Sequence, residues 1–209
     1  MTRVVLVRHG QTEWNRVERF RGHTDIPLNE TGIWQAEQAG RAIKERYSVS
    51  AIYTSPMSRA TRTAEIIGQA TGVPVQVLPP LGDYSFGEWE GKTPEEVKAE
   101  YPEQFRLWMT APHRAKIPGG ESLRRRRLQV AAALERLAVE HQDQTVVLVS
   151  HRIVSKIITC YLLGLDNSHL WGVDLDTASI SLFQRHKWGW LTLMLNDTCH
   201  LRANHDDRR

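Results

Sequence analysis

One pattern, written twice, constrains this chain more than any other feature. Val4-Val5-Leu6-Val7 runs straight into Arg8-His9-Gly10, and Val146-Val147-Leu148-Val149 runs into Ser150-His151-Arg152. Unbroken apolar runs rich in β-branched residues read as strands buried on both faces, the kind found in parallel sheets. In open α/β sheets, ligands bind at the carboxyl ends of the strands. Each run therefore delivers an imidazole to the place where chemistry is expected, and two such strands in one sheet would bring two histidines into one crevice.

The segments between these runs predict the layers around the sheet. Asn29 caps a helix over 30–46, whose Ile33, Ala36, Ala39, Gly40 and Ile43 follow helical spacing. Ser50 to Thr54 is a strand. Pro56 then starts a helix on which Arg59 and Arg62, three residues apart, share a face. Val75 to Leu78 reads as a strand and 94–110 as a helix carrying Tyr101, Phe105 and Trp108. The loop 111–120 suits a lid or a second-layer excursion. Ser122 to His141 is a helix burying Leu123, Val130, Leu134, Leu137 and Ala138, and Ile153 to Leu163 is another, closed by Gly164. Ala178 to Gln184 and Trp190 to Leu195 form an antiparallel hairpin at the sheet edge. The polar tail 202–209 is expected to be disordered. Strands alternating with helices give an α/β fold of three layers, α/β/α, with a mostly parallel central sheet and an antiparallel edge strand.

With 209 residues the chain can bury a sizeable core as a single domain, 1–209, with an excursion over about 84–120. The 27 basic residues nearly balance the 24 acidic ones, so charge gives no argument for nucleic acid. The apolar runs near the start are too short for a signal peptide or a membrane span. Cys160 and Cys199 lie far apart and form no CxxC, so reduced thiols in a cytoplasmic protein are expected.

Arg8, His9, Arg59, His151 and the carboxylate of Asp83 gather at strand ends or helix starts. That set suits phosphoryl transfer without a metal. Arginine forks neutralise a phosphate dianion bidentately, an imidazole attacks phosphorus, and Asp83 protonates the leaving oxygen before taking a proton from water. No HExxH, CxxC or Walker-type GxxxxGKS/T suggests another route. Neighbouring arginines favour a neutral, nucleophilic His9. They also favour a charged Asp83, so its protonation calls for the arriving dianion, helped by burial beside Phe86 and Trp89.

Plainer readings stand beside these. Asp83 is a turn residue if Glu88 or Glu90 is the acid. Arg62 reads as a surface charge, and the run Arg124 to Arg127 wraps around its helix, so its charges are expected in solvent. His113 and His200 are placed at the lid, and Trp14 and Trp89 at the pocket wall. The remaining histidines show no metal-ligand spacing.

Arg8-His9-Gly10-Gln11-Thr12-Glu13-Trp14-Asn15, Pro27-Leu28-Asn29-Glu30-Thr31-Gly32, Ser55-Pro56 with Arg59-Ala60, Phe86-Gly87-Glu88-Trp89-Glu90-Gly91 and Val149-Ser150-His151 resemble, in order, the histidine phosphatase superfamily, in particular its cofactor-dependent phosphoglycerate mutase-like branch. The resemblance implies that fold, His9 as the phosphorylated nucleophile, and Arg8, Arg59 and His151 around the phosphate. It also places Asn15, Arg21 and Gly22 along the pocket and Asp83 where most members carry a glutamate as proton donor. Arg152 stands where glycine is usual, and is placed to crowd the pocket or to contact an acid group of the substrate. Arginine 21 replaces a more frequent glutamine. The longer insertion of the mutases, with its paired arginines and tyrosine, has no equivalent here, which favours a phosphatase. Tyr101 to Phe105, Gly119 to Leu123 and Asn196 to Leu201 are similar to the metal-independent phosphoserine phosphatases of the branch, although Phe86 takes the place of an expected histidine. The expected partner is a small phosphorylated metabolite, with phosphoserine a candidate; no cofactor, nucleic acid or membrane is called for, and a homodimer is left open. The rivals are a phosphoglycerate mutase and a phosphate-recognising module without turnover.

Overall fold

The computed structural model describes residues 1–202; the expected disordered tail lies, beyond Arg202, outside the described residues. Six strands form one sheet: β1 (Arg3–Arg8), β2 (Val49–Thr54), β3 (Val75–Val77), β4 (Thr145–Ser150), β5 (Ile180–His186) and β6 (Gly189–Asp197). Their order is β3-β2-β4-β1-β5-β6. β3, β2, β4 and β1 run parallel, while β5 is antiparallel to β1 and hairpins with β6 at the edge.

The two apolar runs are adjacent central strands. Val4 pairs with Val146 and Arg8 with Ser150, so the residue after each strand, His9 and His151, emerges at the same end. Alternate side chains feed opposite faces. Val5, Val7, Val147 and Val149 pack with Ala39, Ile43, Ala60, Ala64 and Ile67 of α2 (Glu30–Arg46) and α3 (Ser58–Thr71); α1 (Glu13–Arg16) precedes them. Val4, Leu6, Val146 and Leu148 pack on the other face with Val130, Leu134, Leu137, Val154 and Ile158. These last belong to the helices Leu123–Glu140 and Arg152–Leu162. All eight strand residues are at most 1% exposed, and each is worth about 1.5–3 kcal/mol relative to an exposed position.

The stretch 94–110, expected as one helix, is two: α4 (Pro94–Glu100) and α5 (Pro102–Thr110). Pro102 has no amide hydrogen and pushes the residue before it out of the helical region, leaving Tyr101 at φ −131°, ψ 55°. The excursion around these helices is packed rather than loose. Tyr84, Phe86, Trp89 and Trp108 all join the larger core cluster. α6 (Leu123–Glu140), capped by Ser122, and α7 (Arg152–Leu162) complete the second face. Ala138 of α6 is only half-buried. On α2, Ile33 is left at the surface, 36% exposed, while Gln35 turns inward and accepts the Gln11 amide hydrogen at 2.8 Å. No helix among the described residues is long and apolar enough to cross a membrane.

Candidate active site

The loop leaving β1 is held by backbone contact. A β-carbon on Gly10 would lie 2.3 Å from the Gly32 carbonyl oxygen, and one on Gly32 would lie 2.1 Å from that of Gln11, so only glycine fits at either place. The His9 amide donates to the Ser150 carbonyl at 2.9 Å, fixing one histidine against the other strand. The two rings sit with centroids 5.1 Å apart, and both residues are wholly buried.

Their hydrogen bonds set their tautomers. Nδ1 of His9 lies 2.7 Å from the Gly10 carbonyl, which can only accept, so Nδ1 carries the proton and Nε2 the lone pair. That Nε2 is buried and has no partner among the described residues. Nδ1 of His151 accepts from Nε of Arg59 at 3.2 Å, so its proton is on Nε2, which meets Ser55 Oγ at 2.7 Å. Burial pushes both imidazoles well below their ordinary value, reinforced at His9 by His151, Arg59, Arg8 and Arg21, and at His151 by Arg59, Arg21 and Arg8. Both rings are neutral at physiological pH.

Arg59, in the first turn of α3, has no exposed surface. It donates to Asp83 Oδ2 at 2.8 Å and to the carbonyls of Gly22 and Thr24, each at 2.9 Å. Asp83, 5% exposed, also accepts the Tyr84 amide hydrogen at Oδ1, and its Oδ2 lies 3.4 Å from Nδ1 of His151. Glu88 instead accepts from the Tyr101 hydroxyl, and Glu90 from Phe86 N–H and the Ser85 hydroxyl. Of these three carboxylates only Asp83 meets Arg59 and His151.

Arg126 corrects the reading of the arginine run. It is 7% exposed, donates to the Asp83 carbonyl at 3.0 Å and pairs with Glu121 at 2.8 Å. Its helical position points it inward while Arg124 and Arg125 stay in solvent. Arg62 is exposed beside Glu65.

Two more arginines close the crevice. Arg8 donates through Nη1 to the Leu175 carbonyl at 2.6 Å, and Arg21 to the Trp14 carbonyl at 3.2 Å. Nε of each is buried without a partner among the described residues. Burial lowers Arg8 to about 9 and Arg21 to about 10, with like charges contributing at both; both stay cationic at neutral pH. Both charges reach His9, and donors left without a protein partner are open to an anion. The cavity beside them has a volume of about 480 Å³ and is lined by Arg8, Asn15, Arg21, Asp83 and Arg152, with Phe86, Trp108 and Trp171 on its apolar side.

Gly22 is not on that wall. At φ +53° it turns the loop so that its carbonyl holds Arg59. Asn15 Oδ1 accepts from the Thr12 amide and hydroxyl at 2.9 and 2.8 Å. Trp14 and Trp89 do not line the cavity. Trp89 is fully buried against Phe20 and Trp108, and Trp108 and Trp171 take the place expected of the former two. His113 is exposed and His200 binds the Ala178 carbonyl beside α2, so neither reaches the crevice. Sequence reasoning also passed over Ser55, Arg126 and Asp174. The one signal for Trp108 was its place three residues after Phe105 on α5. Among the described residues no cluster of three or more histidine, cysteine or carboxylate side chains is placed to hold a metal.

A sequence model of the histidine phosphatase superfamily (branch 1) matches residues 4–198. Phosphoserine phosphatase 1 of Hydrogenobacter thermophilus is 37% identical over 201 residues, spanning 96% of this chain and 95% of its own. A probable phosphoglycerate mutase of Salmonella choleraesuis is 33% identical over 208 residues, spanning 97% and 96%. Among solved structures, a mutant phosphoserine phosphatase from Entamoeba histolytica in complex with phosphoserine superposes with a TM-score of 0.87 at 29% identity, covering 97% of this chain and all of that one.

Proposed function

The chain belongs to the histidine phosphatase superfamily (branch 1), and on that premise we propose that it hydrolyses small phosphomonoesters through a phosphohistidine formed on Nε2 of His9. The observation that carries this reading is the free Nε2 of a buried, neutral His9, within reach of the charges of Arg8 and Arg21, whose Nε groups are also without partners.

The phosphoryl group enters the cradle between Arg8, Arg21 and Arg59. One of its oxygens takes the Arg59 donor that now serves Asp83, and His151 is held alongside. A dianion beside Asp83 opposes a second negative charge there, so the displaced carboxyl takes up a proton as substrate enters. The lone pair of His9 Nε2 attacks phosphorus, the ester P–O bond breaks, and Asp83 gives its proton to the departing alkoxide. Asp83, again a carboxylate, then takes a proton from water. The water oxygen bonds to phosphorus, the P–N bond breaks, its electron pair returns to Nε2, and inorganic phosphate leaves. Guanidinium groups stabilise the charge on the equatorial oxygens in both steps.

Phosphoserine is the candidate substrate, supported by the named relatives. Metal independence, a single domain over 1–209 and a cytoplasmic setting belong to the same reading, the last supported by two free cysteines, Cys160 and Cys199. Rapid quench with 32P-labelled substrate tests the mechanism. Acid-labile, alkali-stable label on the wild-type protein is expected, with loss of that label and a fall in turnover of at least about 10³-fold in His9→Ala. Undiminished turnover in His9→Ala would overturn it. Addition of 2,3-bisphosphoglycerate with 3-phosphoglycerate distinguishes the mutase rival, which would yield 2-phosphoglycerate instead of free phosphate.

A further inference from the structure

Arg152 opens α7 immediately after His151, and its side chain, 46% exposed, stands on the wall of the cavity. Its nearest opposite charge is Asp174 Oδ1, 3.9 Å from Nη2, which is too far for a hydrogen bond. Asp174 is already engaged, since its Oδ1 lies 3.1 Å from Nζ of Lys156. Lys156 is 2% exposed and sits 4.8 Å over the Trp171 ring. A buried ammonium needs its counter-charge far more than a half-exposed guanidinium does, so this lysine keeps the carboxylate. The Arg152 side chain makes no hydrogen bond among the described residues. Every other arginine of the crevice is tied to the protein: Arg8 to Leu175, Arg19 to Gly91, Arg21 to Trp14, and Arg59 to Asp83, Gly22 and Thr24. The free fork is also close enough for its charge to help lower both Arg8 and Arg21.

We infer that Arg152 is a second anion subsite, which receives a carboxylate that the substrate carries a few bonds from its phosphoryl group, and that this residue selects phosphorylated acids over other phosphomonoesters. The inference rests on the phosphatase reading and deepens it. A planar guanidinium with all its donors unclaimed matches a carboxylate bidentately. Its place one residue after His151 sets it beside the phosphoryl cradle rather than inside it. Asp174 stays with Lys156, so a substrate carboxylate has no partner to displace from the fork.

The test uses O-phosphoserine and O-phosphoethanolamine, the same skeleton with and without the carboxylate, and p-nitrophenyl phosphate as a reference. Steady-state kinetics are measured on the wild type, Arg152→Gly and Arg152→Lys. The wild type is expected to favour phosphoserine. In Arg152→Gly, the ratio of kcat/KM for phosphoserine to that for phosphoethanolamine should fall roughly 10- to 100-fold, mainly through KM. Arg152→Lys should restore part of that ratio. An unchanged ratio in Arg152→Gly, including one in which both substrates suffer equally, overturns the subsite and leaves the phosphatase reading standing. Absence of phosphate release from all three compounds by the wild type overturns the phosphatase reading, and the subsite with it.

Discussion

Arg59 and Asp83 hold each other in place, and that pairing decides how the site responds to substrate. The buried guanidinium has four of its five donors engaged, by Asp83, two carbonyls and His151. The carboxylate is the partner that the arriving anion replaces in kind. If the released Asp83 is the proton donor, its importance must depend on the leaving group. An alkoxide such as that of phosphoserine needs a proton in the transition state, while p-nitrophenolate departs without one. Asp83→Asn is therefore expected to slow phosphoserine hydrolysis by about 10²–10⁴-fold, with a loss on p-nitrophenyl phosphate at least about tenfold smaller. Parallel kinetics on the two substrates check this, and equal losses would show that Asp83 only positions Arg59. His9 needs no such assistance. Its neutral form persists well below its ordinary titration range, so the nucleophile imposes no acidic limb on kcat/KM near neutrality.

At the level of elements, the site depends on two strands ending in register and on a loop gripped by a helix start. The close approach of Gly10 to the Gly32 carbonyl, and of Gly32 to the Gln11 backbone, makes that grip a backbone-to-backbone one. Gly32→Ala would place a methyl group against the Gln11 backbone, where nothing flexible can yield. A loss of about 1–3 kcal/mol is expected, read as a lower urea midpoint, together with weaker phosphate binding as the His9 loop shifts; an unchanged midpoint would show that the loop is free to move. Much of this scaffold was legible beforehand. The strands at 4–7 and 146–149 announced themselves by unbroken β-branched runs, and α2, α6 and α7 by helical spacing and caps. The break at Tyr101 was readable from Pro102, but the aromatic spacing across 101–108 masked it. What composition and period could not carry were the pairings between distant residues. Arg126 on the Asp83 carbonyl, Ser55 on His151 and Lys156 on Asp174 each join segments that only the folded sheet brings together. A buried arginine within a run of four looks the same in sequence as its solvated neighbours.

For the molecule as a whole, burying two neutral histidines at the centre of the sheet makes stability sensitive to mild acid. His9 and His151 both titrate well below their ordinary value of 6.5 in the folded protein, whereas in the unfolded chain they titrate near it. Between those limits the unfolded state binds more protons than the native one, so unfolding free energy rises with pH and falls as the solution is acidified. Two such groups give a slope approaching about 2.7 kcal/mol per pH unit once the pH is well under 6.5. His200, lowered by burial, acts in the same direction. Asp166 and Asp197, each held down to about 2, add their loss only at more acidic pH, below the ordinary carboxylate range. The protein is therefore expected to lose denaturant resistance between pH 7 and pH 5, before its carboxylates begin to protonate. Urea unfolding at half-unit intervals across that range measures the slope, and His151→Asn should reduce it by about half. Phosphate or vanadate in the cradle should stabilise the protein at pH 7 by mass action. A stability that stays flat from pH 7 to pH 5 would mean that the imidazoles are charged in the folded state, and the neutral nucleophile on Nε2 would have to be abandoned with it.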